Sequence, residues 1–302
     1  MTETAIKLAI PLADRVVIAV SGPDACSFLE GLVTVDTEAL AVGDAGHGAL
    51  LTPQGKLQFD FIVLRTAEDA YLMDVPRATA ADFMKRLLFY RLRAQVEIRH
   101  AAHLAVASFP DGLCGSLPDE SLVFADPRNE KLGQRAFVAT TTADETLGEA
   151  GYSIAPANSY HARRIAAGIP EALHDFEYGT LFPHDIALDQ TGGVDFHKGC
   201  FVGQEVVSRM QHRGTARRRV VHVLIAGPAP ASGAALSLSG KNVGEMGSHE
   251  GDIGLAIIRL DRAADALTGT PLESENSSLL VKLPEWSDYA VAKPDSTGES
   301  AA

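Results

Sequence analysis

The sequence predicts an α+β protein of two or three lobes that ends in a small all-β barrel, and three observations carry the prediction. The chain has 302 residues, more than one ordinary core accommodates. Up to about residue 215, strand-like runs rich in β-branched residues alternate with stretches whose apolar residues recur at helical spacing. After Thr215 the pattern changes to short strands separated by glycine, proline and serine, which reads as a barrel.

Composition narrows the class. With 46% hydrophobic and 22% charged residues the chain falls among soluble globular proteins. No run approaches the roughly 18 apolar residues that span a bilayer, so no membrane association is expected. A formal net charge of -13 disfavours direct nucleic-acid binding, which needs positive charge over a wide surface. An anionic ligand has to be met locally. The amino terminus, MTETAIKLAIPLADR, lacks the apolar core and small-residue cleavage site of a secretory signal, and a cytoplasmic location is expected. Three cysteines, Cys26, Cys114 and Cys200, supply neither a disulfide framework nor a complete four-cysteine zinc or iron–sulfur site. Any cluster is then shared or transient.

The elements follow in order. Asp14 to Val20 reads as a strand. Ser21-Gly22-Pro23-Asp24 has the form of a helix start, with Ser21 as cap and Asp24 suited to the helix dipole. Ala25, Phe28, Leu29 and Leu32 then form the apolar stripe of a helix, with Cys26 beside it as a small buried hydrophobe. Gly48 to Thr52 and Lys56 to Arg65 read as a hairpin around a Thr52-Pro53-Gln54-Gly55 turn. In its second strand Leu57, Phe59, Phe61 and Val63 share one face, so Asp60 points to the other with Ile62 and Leu64. An acid there either orients a polar ligand or is a solvated group on a sheet face.

Tyr71 to Val75 is a strand and Ala78 to about Arg91 a helix, with Arg86, Arg91 and Arg93 on its solvated flank. Strand patterning returns at Gln95 to Arg99 and His103 to Phe109. Pro110 to Glu120 reads as a loop in which Cys114 is an ordinary thiol. A turn at Asp126-Pro127-Arg128, a strand near Arg135 to Thr140 and the acidic patch Asp144 to Glu149 complete a smaller lobe. Ser159 to Ile169 is a helix that stops at Gly168 and Pro170, with His161, Arg163 and Arg164 read as surface groups. Phe182 to His197 is a loop long enough to be functional. Its His184, Asp185, Asp189, Asp195 and His197 match no compact ligand spacing, so no metal site is expected there. Domains are expected at 1–100 with 151–215, 101–150 and 216–287, followed by a disordered tail over 288–302.

The chemistry concentrates in Lys198 to Glu205, KGCFVGQE. Gly199 and Gly203 let the backbone turn sharply and approach a ligand. Gln204 to Gln211 reads as a helix, so Cys200 lies near its positive end with Lys198 two residues away, and both effects favour a thiolate. From Lys198 to Arg219 there are six Lys/Arg residues against one acid, Glu205. Such a run suits a carboxylate or phosphate. A buried structural cysteine beside a solvated arginine helix is equally compatible with this pattern.

KGCFVGQE, together with FLEGLVTVD at Phe28 to Asp36, LLTPQGKLQFDF at Leu50 to Phe61, RRIAAGIP at Arg163 to Pro170 and LDQTGGVDF at Leu188 to Phe196, resembles the YgfZ family of folate-binding proteins, related to a mitochondrial iron–sulfur assembly factor. The resemblance implies the three-lobed fold of the glycine-cleavage T-protein with a C-terminal β-barrel, and a tetrahydrofolate or derivative as ligand. It implies a role in assembly or repair of [4Fe-4S] clusters, including those of tRNA-modifying enzymes, with assembly or carrier proteins and client enzymes as partners. Cys200 is then the key thiol and ligand of a transient shared cluster, assisted by Lys198. The folate is expected to meet Asp60, Gly199, Phe201, Gly203, Gln204, Glu205 and Arg213. Aminomethyl transfer is the rival activity. The related T-protein carries paired aspartates where this chain has Phe59-Asp60, and a glutamate where it has Ala166, so a conventional catalyst is not expected. An anion- or tRNA-binding module built on Arg209 to Arg219 is the third reading.

Overall fold

The structure, a computed structural model, describes residues 7–113, 117, 121–140 and 147–289. Cys114, the first half of the acidic patch and the tail from residue 290 lie outside them.

Three sheets organise the chain. The first contains β2 (Arg15–Ser21), β3 (Ala45–Leu51), β4 (Leu57–Ala67), β5 (Ala70–Pro76) and β6 (Glu97–His100), in the order β3-β4-β5-β2-β6. The second joins β1 (Leu8–Pro11), β7 (Leu104–Phe109), β8 (Leu122–Ala125), β9 (Gln134–Ala139) and β10 (Ser153–Ile154), in the order β10-β1-β7-β9-β8. The third closes into a barrel of β11 (Arg218–Ala226), β14 (Ile253–Arg259), β13 (Lys241–Glu250), β12 (Ala235–Leu238), β15 (Leu272–Ser274) and β16 (Ser277–Lys282).

Alternation along β4 joins the first two sheets. Phe59, Phe61 and Val63 enter a core with Phe28 and Leu29 of helix α1 (Ala25–Glu30) and Phe83 and Leu87 of helix α2 (Ala80–Arg91). Ile62 and Leu64, on the opposite face, pack with Ile10, Val106 and Phe137 of the second sheet. Each such side chain contributes about 1.5–3 kcal/mol through burial. The hairpin turn forms as its residues require: Gly55 donates its N–H to Thr52 O at 2.8 Å and adopts φ 76, which glycine reaches without strain.

Four expectations are corrected. Helix α1 starts at Ala25, and Asp24, its N-cap, gives it no side-chain bond; the Asp24 carboxylate accepts the Gln95 N–H at 2.7 Å instead. The smaller lobe is not confined to 101–150, because β1 covers the β7 edge antiparallel and pairs with β10 in parallel. The tail does not begin at 288: Tyr289 is buried in the barrel core, and the Asp288 N–H donates to Gln190 Oε1 at 2.9 Å. Finally, Arg164 of helix α3 (Ala157–Ala166) is fully buried rather than at the surface.

Arg164 belongs to a charged network where the lobes meet. Arg15 binds Asp74 at 2.6 Å and Glu171 at 3.0 Å. Arg135 bridges Asp74 and Asp126, and Arg128 binds Asp126 at 2.7 Å. Arg164 reaches Asp175 at 2.5 Å, Glu171 at 3.3 Å and Ser248 of β13 at 2.9 Å. Tyr160 receives N–H bonds from Arg128 and Arg135. Burial alone would drive the Glu171 and Asp126 carboxyls up, but the surrounding guanidiniums hold both well below the usual range. Buried charges persist only when answered in this way.

Candidate functional site

The KGCFVGQE segment is held from below by the loop that follows α1. Thr34 donates its hydroxyl to Gly193 O at 2.6 Å and accepts the Ala49 N–H at 2.8 Å, while Asp195 donates its N–H to Thr34 O. The Asp195 carboxylate then accepts the N–H groups of His197 and Lys198 at 2.7 Å and 3.1 Å, an aspartate turn that reverses the chain. Lys198 folds inward. Its ammonium donates to Val33 O and Val35 O, both at 2.8 Å, and stands 3.1 Å from Glu30. Glu30 also receives the N–H and hydroxyl of Thr37. Two stretches that stand out separately in the sequence, FLEGLVTVD and KGCFVGQE, are thus one structural unit.

This corrects the expected role of Lys198. An ammonium whose side chain is fully buried and whose donors face two carbonyls and a carboxylate is a tether for the loop. Burial holds its pKa below the ordinary value, against the pull of Glu30.

The tether leaves Cys200 exposed. Phe201 turns back into a core with Leu57, Leu181, Ile186 and Val207, and Val202 packs against the first-sheet core. The thiol is therefore lifted between a buried lysine and a buried phenylalanine. Helix α4 (Gln204–Arg213) follows, with Gly203 as N-cap at φ 81. A Cβ on Gly203 would lie 2.6 Å from Thr52 O, so this glycine admits the hairpin turn rather than a ligand. Gly199 is exposed, and a Cβ there would meet nothing within 4 Å. No packing among the described residues requires it.

The other expected ligand residues do not converge. Glu205 is exposed and pairs with Arg209 one turn on; Gln204 lies at the start of α4 and Arg213 at its exposed end. Asp60 is elsewhere, and it is not solvated. It is 7% exposed, the Tyr178 hydroxyl donates to its carboxylate, and burial raises its pKa in spite of Arg15. Tyr178 was not singled out in the sequence; its position between Phe176 and Leu181 in an aromatic stretch is the only local signal. The arginine run also divides: Arg219 is nearly buried, bound to His184 O and Asp189 at 2.7 Å each, while Arg213, Arg217 and Arg218 remain exposed. Among the Phe182–His197 acids and histidines no ligand cluster forms. Asp185 accepts the Phe182 N–H, Asp189 holds Arg219, and His197 is 99% exposed in its side chain.

Comparison with known proteins adds the family. Residues 217–289 match the model of the CAF17 C-terminal beta-barrel domain, and residues 15–107 that of the GCVT N-terminal domain. The human mitochondrial iron-sulfur cluster assembly factor IBA57 is 29% identical, covering 91% of this chain and 84% of the human protein. The homologue from Chaetomium globosum is 30% identical, covering 85% of this chain and 72% of its own. The crystal structure of aminomethyltransferase T of the glycine cleavage system from Bartonella henselae superposes with a TM-score of 0.77 over 96% of this chain and 88% of that one, at 17% identity. That likeness establishes the three-lobed T-protein fold with its C-terminal barrel. The cytoplasmic location expected from the amino terminus is corrected here: these relatives are named mitochondrial. On the relatives and the two matched domains together, the chain belongs to the IBA57 family of iron-sulfur cluster assembly factors.

Proposed function

We propose that this chain acts in iron–sulfur cluster assembly by offering the Cys200 thiol to a cluster in transit, one ligand among several whose others come from a carrier or client protein. The carrying observation is the placement of Cys200: exposed, on a loop fixed by Lys198 to the carbonyls of Val33 and Val35. Within the described residues the other cysteine, Cys26, packs beside the first core, so among them one exposed thiol is offered to a cluster that needs several ligands. The recipients in this reading are [4Fe-4S] enzymes, tRNA-modifying ones among them.

The test is restoration of [4Fe-4S] enzyme activity in cells lacking the protein. Cys200→Ser is expected to restore none while folding normally, as judged by circular dichroism and an unchanged melting temperature. Full restoration by the variant would sink the proposal.

A tetrahydrofolate is the ligand this reading assigns to the neighbourhood of Asp60. A pterin offers N–H donors, and Asp60 is a buried acceptor already oriented by Tyr178. Asp60→Asn is expected to weaken tetrahydrofolate binding about tenfold or more, the worth of a hydrogen bond to a charged group, in a fluorescence titration. Equal affinity would remove Asp60 from the site. The same buried acid supports a second reading, folate-dependent aminomethyl transfer, whose mark would be methylene-tetrahydrofolate formation that is lost in Asp60→Asn.

A further inference from the structure

A cavity of about 250 Å³ opens where the barrel meets the β3–β4 turn and the C-terminal end of α4. Lys56, Arg217 and Arg218 line it, with Phe182 and Met210 as its apolar wall. Its charge is poorly answered. The Arg218 guanidinium has no hydrogen-bond or ion-pair partner among the described residues, and the residue lies directly opposite Arg259 on β14. Like charges opposed on neighbouring strands repel. Asp261 answers Arg259, at 2.7 Å and 3.1 Å, and reaches Arg217 only at 4.0 Å. Asp185, on the inner wall, is buried and accepts the Phe182 N–H.

Lys56 donates to Thr180 O at 2.6 Å and stands 3.4 Å from the Phe182 ring centroid. Desolvation, with Arg218 adding to it, holds its pKa below the ordinary value. The four cations at the rim therefore outnumber Asp185 and Asp261 by two. This surplus sits on a chain whose net charge is -13, where a long polyanion would be repelled outside the cavity.

We propose that this cavity binds a small dianionic oxyanion, a phosphate ester or a dicarboxylate, with Arg218, Arg217 and Lys56 as its ligands and Phe182 and Met210 against its substituent. Guanidinium forks suit such a group, since each offers paired N–H donors. The volume admits the anion with a short substituent, and no run of nucleotides. Cys200 is not part of the site: of the KGCFVGQE segment and α4, Met210 alone is among the lining residues.

Isothermal titration of the full chain at low salt tests it, with inorganic phosphate, succinate and a single-stranded oligoribonucleotide as probes. Saturable one-site binding of phosphate or succinate is expected, and the tighter of the two identifies the ligand class. Arg218→Ala is expected to weaken it about tenfold or more. Arg209→Ala, on α4 outside the cavity, and Cys200→Ser are expected to leave it unchanged, which separates this site from the thiol's. Because Arg218 is exposed, its replacement leaves the fold intact, and circular dichroism verifies that. Absence of saturable binding by both small anions, equal affinity of Arg218→Ala, or binding of the oligoribonucleotide alone overturns the proposal.

Discussion

Single residues carry the sharpest energetic consequences. Lys198→Met keeps the aliphatic stem and removes the ammonium, leaving Val33 O and Val35 O without their side-chain donor and Glu30 without its counter-charge, held by Thr37 alone. Breaking a buried pair in this way costs about 3 kcal/mol, measurable as a lower urea midpoint, and the thiol should lose its function although it is untouched. His47 makes a different prediction. It is 8% exposed, its Nδ1 has no hydrogen-bond partner among the described residues, and burial, with Arg128 adding, pushes its pKa down to about 3. The folded chain keeps the imidazole neutral, whereas the unfolded chain takes up a proton below about pH 6.5. Its contribution is therefore complete above that pH and is lost as pH falls toward 3, at up to about 1.4 kcal/mol per pH unit. Denaturation series between pH 7 and 4 should show His47→Asn shallower by one proton. Identical slopes would show that His47 is protonated in the fold.

At the scale of elements, the two glycines of KGCFVGQE separate cleanly. Gly203→Ala places a Cβ 2.6 Å from Thr52 O at φ 81, a backbone clash in a strained region that costs about 1–3 kcal/mol. Gly199→Ala meets nothing, and its stability should stay within about 0.5 kcal/mol of the parent. If Gly199→Ala nevertheless fails to restore cluster-enzyme activity, the partner rather than the fold needs that glycine. Both the hairpin and α4 are legible in the sequence because their causes are local: Pro53 and Gly55 in the turn, Gly203 and Gly214 at the helix ends. The Lys198 tether is not. Its acceptors lie 163 and 165 residues away in the chain, and no periodicity distinguishes a lysine that folds inward from one that faces water.

For the whole molecule, the barrel pattern and the alternation of β4 revealed the lobes, while the charged junction between them stayed hidden. Arg164 and Arg128 sit in polar helix and turn contexts that predict exposure, yet in the fold three carboxylates meet them: Asp126 at Arg128, and Glu171 and Asp175 at Arg164. Arg164 joins α3 to the barrel through Asp175 and Ser248. Arg164→Ala is expected to cost about 3–5 kcal/mol and to split calorimetric unfolding into two transitions as the barrel uncouples. A single transition at the parent temperature would show that apolar packing alone joins them.

The tethered loop also bears on how quickly a partner can engage. A flexible cysteine loop would have to be ordered at each encounter, at about 0.5–1.5 kcal/mol for every side chain immobilised. Here Lys198, Asp195 and Phe201 complete that ordering during folding. On the proposed function the thiol would meet its visitor as a fixed point, so productive collisions would depend on the visitor's orientation and not on the waiting time for a loop to arrange itself.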